Sequence, residues 1–301
     1  MTEASLIRAD KLALTKSAIE GTSGHACRIG CAAIAGLFDE LALYPKPGLV
    51  SFEDAGSHVD MNADTFLRSL LALHEFFVEA AHCGANRAAF SRLEALGIDA
   101  ERAMLKATQG VNTHRGAIFC LGILCGGAGF VLAQNEALTP RAVQEAILRL
   151  WGTALSARDK RPAAVAPTAF AGACGERQVV LRSAGVEAAL GFPVLFTHAL
   201  PALGAARNQG LSRDAALLQT LFTVIAELED TTLVHRGGME GLRFAQRQAR
   251  EFLAAGGASR TDASAHGIEI HRAFVARRLS PGGAADILAA ACWFDRLGSL
   301  R

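Results

Sequence analysis

The sequence predicts an all-α protein, a single large bundle-like domain with its active-site loops at the ends of helices. Hydrophobic residues make up 51% of the 301 positions, yet aromatic residues make up only 6%. The chain is instead rich in Ala and Leu, which favour helices, whereas aromatic and β-branched residues favour strands. The longest alternating stretch typical of a strand covers only residues 178–181.

Charge and hydrophobicity exclude two broad classes of protein. Lys and Arg number 30 against 29 Asp and Glu, so the net charge of +1 provides no broad cationic surface for nucleic acid. A hydrophobic fraction this high also excludes an intrinsically disordered chain. Any site for a polyanion must therefore concentrate its positive charge locally.

Helix boundaries are marked by capping residues and by Pro-Gly turns along the chain. Between them, apolar residues recur at three- and four-residue steps, which is the helical period. We expect residues 1–24 to form an N-terminal extension and residues 25–301 to form the helical domain. The expected boundaries are a helix over 25–43 that ends at a Pro-Lys-Pro-Gly turn, and helices that begin after Asn62 or Asp64, Thr139, Ser212 and Pro281.

Two charge-free stretches, 116–133 and 188–206, are long enough to resemble membrane spans. Both contain Gly or Pro and lack aromatic belts, so we expect buried segments of a soluble protein with no membrane partner. The N-terminus has charges where a signal peptide has its apolar core, and the seven cysteines form no Cys-x-x-Cys pair. These features predict a cytoplasmic protein. Residues 156–185 are predicted to form a long loop.

Five polar segments interrupt the helices and carry the candidate site residues. In the first, Lys46 lies between two prolines, in a stiff turn that can direct an ammonium group at a phosphate. Ser57 and His58 follow. In extended structure His58 and Asp60 would share a face, as metal ligands or acid–base partners do. A helix-breaking turn followed by a capping Asp explains the same residues equally well.

The second segment runs Asn112-Thr113-His114-Arg115 and precedes an apolar stretch. A helix N-terminus presents free N–H groups and the positive end of its dipole, which suits a phosphate or a carboxylate-bound metal. Arg115 adds a fork of donors for phosphate oxygens. The alternative is an elaborate N-cap, which needs only one of these side chains.

The third and fourth segments contribute carboxylates. Glu187 is the one charge before the apolar stretch 188–206 and is a candidate carboxylate of the site. The alternative interpretation is an ordinary solvated helix residue. Asp230 is the strongest candidate for a Mg²⁺ ligand, because Mg²⁺ prefers one or two carboxylates together with waters and phosphates. Arg236 and Gly237 follow it, where the alternative is a charged helix C-terminus with a Gly-Gly stop.

The fifth segment, Ser280-Pro281-Gly282-Gly283, stands at the expected start of the last helix. Glycines let backbone amides approach a ligand closely, so the segment predicts either an anion cradle or a tightly packed cap. Neither a Walker-type phosphate loop nor a dinucleotide Gly-x-Gly-x-x-Gly motif is present in the sequence.

In their order along the chain, these segments resemble the triphosphoribosyl-dephospho-CoA synthase family over nearly the whole sequence. The matching motifs are Pro-Lys-Pro-Gly-Leu-Val (45–50), Ser-His-x-Asp-Met (57–61), Gly-Val-Asn-Thr-His-Arg-Gly (110–116), Glu-x-x-x-Gly-Phe-Pro (187–193), Asp-Thr-Thr…His-Arg-Gly-Gly (230–238) and Ser-Pro-Gly-Gly-Ala-Ala-Asp (280–286). The chain departs from the family at Tyr44, Arg115 and Thr232, where Ser, Lys and Asn are more usual.

The resemblance implies an all-helical enzyme that transfers the triphosphoribosyl group of ATP to the 2′-hydroxyl of 3′-dephospho-CoA and releases adenine. The product is the precursor of the prosthetic group of malonate decarboxylase or citrate lyase. The implied partners are ATP with Mg²⁺, 3′-dephospho-CoA, the downstream acyl carrier protein and its holo-transferase. A homodimer is a further expectation, and the last two motifs favour the malonate branch.

The implied chemistry suggests roles for the candidate residues. A triphosphate needs cations and N–H donors, and a ribosyl transition state that resembles an oxocarbenium ion needs a nearby carboxylate. The candidates for contacts with the nucleotide are Lys46, Ser57, Asn112, Thr113, Arg115, Arg236, Gly237, Ser280, Gly282 and Gly283. The candidates for Mg²⁺ are Asp60, Glu187 and Asp230, and those for the acid and the base are His58, His114 and Glu187.

Two other functions fit parts of the sequence. A Mg²⁺-dependent nucleotide or ADP-ribosyl N-glycoside hydrolase would cleave the same kind of bond but transfer the ribosyl group to water. A helical binding protein or chaperone for an acyl carrier subunit would need no catalysis. The clustering of polar residues at helix ends argues against this non-catalytic function.

Overall fold

The computed structural model describes residues 24–159 and 181–298. Within these two ranges the protein has eleven α-helices and no strand, which confirms the predicted all-α class. Helix α1 spans residues 24–42. The other helices are α2 (Ala63–Ala85), α3 (Phe90–Ala107), α4 (Arg115–Ala133), α5 (Pro140–Asp159), α6 (Ala184–Ala189), α7 (Leu200–Asn208), α8 (Arg213–Glu227), α9 (Thr231–Ala254), α10 (Ala263–Ala276) and α11 (Gly282–Gly298).

The predicted helix starts are confirmed where a local cap defines them. Asn62, and not Asp64, caps α2 by accepting a hydrogen bond from the Thr65 N–H at 3.1 Å. Thr139 caps α5 by accepting from the Ala142 N–H at 3.1 Å. The Ser212 hydroxyl accepts from the backbone in the first turn of α8 at 3.3 Å. Each cap satisfies an N–H group that has no partner inside its helix, which is why the sequence marks these positions.

Helix α4 forms the centre of the fold and packs against α2, α3, α5 and α11. Among the described residues it is the one helix long and apolar enough to cross a membrane, and 78% of its most apolar stretch is buried inside the protein. A helix that is hydrophobic all round is typical of a protein core. Glycines bring it close to α2, since a Cβ on Gly84 would overlap the carbonyl group of Gly126.

Two predicted segments differ from the structure. The stretch 188–206 is not continuous, because a turn at Gly191 and Phe192, both with positive φ, separates α6 from a π-helical segment, Val194–Ala199, that runs into α7. The predicted loop 156–185 is helical at both ends, since α5 extends to Asp159 and α6 begins at Ala184. The rest of that loop, and most of the alternating stretch 178–181, lie outside the described residues.

The Gly-Gly stop considered at residues 237–238 is wrong. Asp230 is the N-cap of α9, and that helix continues to Ala254. Gly238 interrupts α9 with φ 63° and ψ −168°, a conformation that favours glycine, so the helix has two segments on either side of a break. Residues 231–236, which precede the glycines, therefore form the start of a helix.

Substitution of Gly84 by Ala is expected to destabilise the protein by about 1–3 kcal/mol, because the added methyl group would overlap the main chain of Gly126. Gly204, inside α7, is the matched control, since a Cβ there would meet no atom within 4 Å. Gly204→Ala should raise the free energy of unfolding by about 0.5–1 kcal/mol. Urea unfolding followed by circular dichroism measures both, and an unchanged midpoint for Gly84→Ala would contradict the packing argument.

Candidate active site

The N-termini of three helices converge on one cavity of about 450 Å³, which we call the main cavity. Arg115 and Gly116 begin α4, Thr231 and Thr232 begin α9, and Gly282 begins α11, and all five residues line it. The positive ends of these helix dipoles therefore face the same space, which favours a bound anion wherever the first-turn N–H groups are not already capped.

The carboxylate of Asp230 joins two of these helix starts. It accepts hydrogen bonds from the N–H groups of Thr232 at 2.8 Å and Leu233 at 3.3 Å in α9. It also accepts from the N–H of Ala284 in α11 at 2.9 Å. Asp230 is only 2% exposed, and burial, which outweighs these hydrogen bonds, raises its pKa. Its oxygens are thus engaged by donors of the protein itself.

Thr232 extends this cap to the glycine segment. Its hydroxyl donates to Asp230 Oδ1 at 2.5 Å and accepts from the Gly282 N–H at 2.8 Å. A Cβ on Gly283 would lie only 3.1 Å from Asp230 Oδ2, so little room remains there for a side chain. Of the two interpretations of the fifth segment, the structure shows the tightly packed cap.

Arg236 is held at the wall of the main cavity by His58. Its Nη2 donates to Nδ1 of His58 at 3.0 Å, and its Nη1 donates to the carbonyl of Ser57 at 3.3 Å. Burial, with the Arg236 charge as the next cause, lowers the pKa of His58. Since Nδ1 accepts from Arg236, Nε2 carries the hydrogen and donates to the Ser280 hydroxyl at 3.0 Å. Nδ1 of His58 therefore positions Arg236, while Nε2 fixes the ring to Ser280.

His114 is buried at the N-cap of α4 and lines the main cavity. Burial, and then the charge of Lys46, lowers its pKa to about 3, so the imidazole is neutral near neutral pH. Its Nδ1 lies 2.6 Å from the hydroxyl of Ser69, and within the described ranges this is the only hydrogen bond of that hydroxyl. If Ser69 donates to Nδ1, the proton of the ring is on Nε2, which has no partner among the described residues. Such an unpaired buried donor suits a ligand oxygen.

Lys46 is not on the wall of the main cavity. Its ammonium group is fully buried and bonds the carboxylate of Glu40 at 2.7 Å and the carbonyl of Glu40 at 2.5 Å. Burial lowers the pKa of Lys46, although the Glu40 charge opposes the shift. The structure thus gives Lys46 an internal ion pair in place of the phosphate contact expected from its two prolines.

Glu187 lies in a smaller adjoining space of about 60 Å³, the rear cavity, whose walls include Phe119, Phe192 and Asp230. It is 3% exposed, so the solvated alternative is wrong. One oxygen accepts from the Val194 N–H at 2.6 Å, and the other has no hydrogen bond among the described residues but lies 3.6 Å from Nη1 of Arg182. Burial raises the pKa of Glu187.

Asp286 is a site residue that the sequence did not single out. It lines both the main cavity and the rear cavity, and no N–H or O–H group of the described residues donates to it. A Cβ on Gly116 would overlap its Oδ2, so glycine is needed opposite it. Burial, followed by the charges of Asp230 and Glu40, raises the pKa of Asp286 well above its usual range. The available signal was its place as the last residue of the motif 280–286, one turn into an apolar helix.

The structure brings part of the candidate set together. The candidates that line the main cavity are His58, Asn112, Thr113, His114, Arg115, Arg236, Ser280 and Gly282. Those at the rear cavity are Glu187, Asp230 and Gly283, and Gly237 lines a separate surface pocket. Ser57 donates its hydroxyl to the Leu279 carbonyl at 2.6 Å, and the mostly exposed Asp60 lies 3.8 Å from Nδ1 of His58.

The predicted Mg²⁺ ligands do not form one ligand set in this structure. Asp230 accepts hydrogen bonds from the starts of α9 and α11, Glu187 lies in the rear cavity, and Asp60 lies at an exposed position beside His58. The residues that the structure describes contain no group of three or more His, Cys, Asp or Glu placed to hold a metal ion. These three side chains together therefore do not fit a protein-built magnesium site.

In this all-α fold, helix starts and two arginines surround a cavity beside the partly exposed carboxyl group of Asp286, an arrangement typical of enzymes that bind a polyanion. Residues 26–301 match the model of the CitG family, described as ATP:dephospho-CoA triphosphoribosyl transferase. Relatives with over 30% identity match over most of their length as well. The chain belongs to this family of transferases, as the six sequence motifs predict.

Three relatives show the degree of similarity. The chain is 39% identical over 259 residues to the 2-(5′′-triphosphoribosyl)-3′-dephosphocoenzyme-A synthase of Pectobacterium atrosepticum, covering 83% of this chain and 82% of that one. Proteins named as probable synthases of the same kind match from Vibrio cholerae, at 38% identity over 262 residues, and from Photobacterium profundum, at 36% over 256 residues. These alignments cover 83% of this chain and 82% and 81% of the relatives. No solved structure matches the chain significantly.

Substitution of Lys46 by Met is expected to destabilise the protein by about 3–5 kcal/mol, because Glu40 is left buried without its partner. The double variant Lys46→Met with Glu40→Gln removes both charges and should recover much of the loss. Chemical unfolding measures both free energies. A Lys46→Met protein of unchanged stability that has lost affinity for nucleotide would instead favour the phosphate contact.

Substitution of Asp286 by Asn is expected to stabilise the protein near neutral pH. Because the folded state raises the pKa of Asp286, it keeps a proton that the unfolded chain loses above about pH 4. Stability from this group therefore falls as pH rises from that value towards the raised pKa, and Asn removes the loss. Unfolding free energies at about pH 5 and about pH 8 test this, since the advantage of Asn should grow with pH. An advantage that is equal at both values would contradict the raised pKa.

Proposed function

We propose that this protein transfers the triphosphoribosyl group of ATP to the 2′-hydroxyl of 3′-dephospho-CoA and releases adenine. The observation that carries the proposal is the main cavity, where three helix N-termini and two arginines adjoin the unpaired carboxyl group of Asp286. Membership of the transferase family supports the same reaction.

The main cavity suits an intact triphosphate. The triphosphate is not cleaved in this reaction, so it serves to anchor the substrate, and its charge calls for fixed donors. Arg236 is held in place by His58 and by the Ser57 carbonyl, which reduces the conformational freedom lost on binding. Arg115, whose Nε donates to Glu101 at 3.1 Å, adds a second guanidinium at the start of α4.

Asp286 is our candidate for the acid that assists the departure of adenine. Its raised pKa favours the protonated form, which can donate to a ring nitrogen of adenine while the bond between C1″ and N9 breaks. The carboxylate that remains stabilises the positive charge on the ribosyl carbon. The 2′-hydroxyl oxygen then bonds C1″ and gives its proton to water, and Asp286 regains a proton from water, so the overall proton balance closes.

His114 and Glu187 complete the assignment. His114 is neutral, and its unpaired Nε2 fits a hydrogen bond to a substrate oxygen better than transfer of a proton, because its pKa is about 3. Glu187, in the apolar rear cavity beside Phe119 and Phe192, is placed to meet a planar base behind Asp286. We propose that Mg²⁺ enters with ATP, held by phosphate oxygens and water, which neutralises charge on the phosphates.

The product is proposed to serve malonate decarboxylase, through the holo-transferase that modifies its acyl carrier protein. The support is the pair of motifs at 230–238 and 280–286. Reconstitution with the apo acyl carrier proteins of malonate decarboxylase and of citrate lyase, each with its own transferase, tests the choice. Maturation of the citrate lyase subunit alone would reverse it.

The purified protein is expected to release one adenine for each 3′-dephospho-CoA consumed, and only with ATP and Mg²⁺ present. Chromatography measures adenine, and mass spectrometry identifies the ribosyl product. Free triphosphoribose without the coupled product would indicate the hydrolase, and no adenine at all would exclude both reactions.

Two variants test the assigned roles. Asp286→Asn should lower kcat by about 100-fold or more, because it cannot donate the proton, while the protein stays folded. Arg236→Ala should raise the KM for ATP by about tenfold or more, through loss of a charge-assisted hydrogen bond. Arg141→Ala, at a side chain 87% exposed on α5, is the matched control and should change neither constant. Full activity of Asp286→Asn would remove Asp286 from the mechanism.

A further inference from the structure

A second cationic pocket, separate from the main cavity, is formed by α9 and the residues that follow α10. We call it the arginine pocket, after Arg243, Arg247 and Arg277, and its volume is about 400 Å³. All three arginines are exposed at the surface. None of them has a carboxylate within 4.0 Å among the residues that the structure describes. Glu240 also lines the pocket, so the side chains there sum to a formal charge of +2.

Phe244 holds two of these arginines in place. The guanidinium carbon of Arg277 lies 4.4 Å from the centre of the Phe244 ring, and that of Arg247 lies 5.7 Å from it. Such cation–π contacts restrict long side chains without neutralising them. The pocket is therefore a concave surface with partly ordered positive charge, which is what a phosphate-bearing ligand requires.

The arginine pocket and the main cavity share a thin wall. Arg236 lines the main cavity and the next residue, Gly237, lines the arginine pocket, while Leu279 lines the pocket and Ser280 lines the cavity. Leu279 packs so closely that a Cβ on Gly237 would approach its side chain to 2.5 Å. The break at Gly238 lies in the same wall and begins the second segment of α9 beside the pocket. The two spaces therefore lie on either side of residues that are adjacent in the chain, close enough for one extended ligand to contact both.

We propose that the arginine pocket binds the diphosphate group of the acceptor, 3′-dephospho-CoA, an inference that rests on the proposed function. The reaction joins two polyanions, and the triphosphate of the donor occupies the main cavity. The acceptor must place its ribose 2′-hydroxyl in that cavity while its own 5′-diphosphate remains close by, on the same nucleoside. The arginine pocket is a cationic surface that shares one wall with the main cavity, so it lies close enough for this diphosphate. The diphosphate would neutralise the positive charge of the three arginines, which have no carboxylate partner among the described residues.

The test is direct binding of 3′-dephospho-CoA, by isothermal titration calorimetry without ATP, so that no turnover is needed. Arg277→Ala and Arg243→Ala should each weaken binding by about tenfold, through loss of charge-assisted hydrogen bonds, and the double variant should weaken it further. Arg277→Lys should retain part of the affinity, since it keeps the charge. Arg272→Ala, at an exposed arginine of α10 outside the pocket, is the matched control and should leave the Kd unchanged.

A second measurement distinguishes the two sources of phosphate. In steady state the pocket variants should raise the KM for 3′-dephospho-CoA by about tenfold and leave the KM for ATP unchanged. A rise confined to the KM for ATP would show that the pocket serves the triphosphate and would overturn the proposal. An equal rise in the KM for 3′-dephospho-CoA with Arg272→Ala would show an effect of general surface charge. That result would also overturn the proposal.

Failure of the pocket assignment and failure of the proposed function give different results. If the wild-type protein releases adenine and the pocket variants bind 3′-dephospho-CoA normally, only the pocket assignment is wrong. If the wild-type protein binds 3′-dephospho-CoA through the pocket but releases no adenine, only the proposed reaction is wrong. Absence of binding by the wild-type protein overturns the pocket assignment directly.

Discussion

The arrangement of the site depends on one carboxylate, that of Asp230, which accepts hydrogen bonds from the starts of both α9 and α11. A helix N-terminus has backbone donors that its own helix cannot satisfy, and a single acceptor here serves two helices at once. Thr232 and Gly282 complete the junction, and Gly283 leaves room for it. The junction sets where the first turns of both helices stand, and with them the positions of Arg236 on α9 and Asp286 on α11. The positions of these two cavity side chains thus depend on the hydrogen bonds of Asp230, which does not itself line the main cavity.

This construction explains how a chain with a net charge of +1 forms a cationic cavity. Three helix starts face the cavity and add nothing to the formal count, although the Asp230 carboxylate caps two of them. Lys46, the one lysine near the site, is neutralised inside the protein by Glu40, and two of the three histidines on the cavity wall, His58 and His114, have lowered pKa values. The permanent positive charges of the cavity wall are those of Arg115 and Arg236, and both are insensitive to pH.

The sequence predicted features that depend on neighbours along the chain and missed those that depend on distant partners. Asn62, Thr139 and Ser212 mark helix starts because a cap involves residues only a few positions apart. Lys46 was expected at a phosphate because its partner, Glu40, lies on α1 and nothing in the motif shows that the ammonium is buried. The sequence predicts a metal ligand at Asp230 because its hydrogen bond with the Ala284 N–H joins residues 54 positions apart and leaves no local signal. Asp286 escaped notice because its raised pKa arises from burial, which a linear pattern does not show.

The glycines where α2 and α4 cross have a consequence for how this scaffold evolves. Gly84 meets the carbonyl of Gly126, and a side chain at Gly129 would overlap the main chain at Ala81, so the contact consists of backbone on both helices. A larger residue on one helix cannot be compensated by a smaller one opposite, because no side chain opposite remains to be reduced. We expect the small residues at this crossing to be retained together. The segments at the helix ends, which hold the candidate site residues, are free of this constraint and can change without altering the packing of α2 against α4.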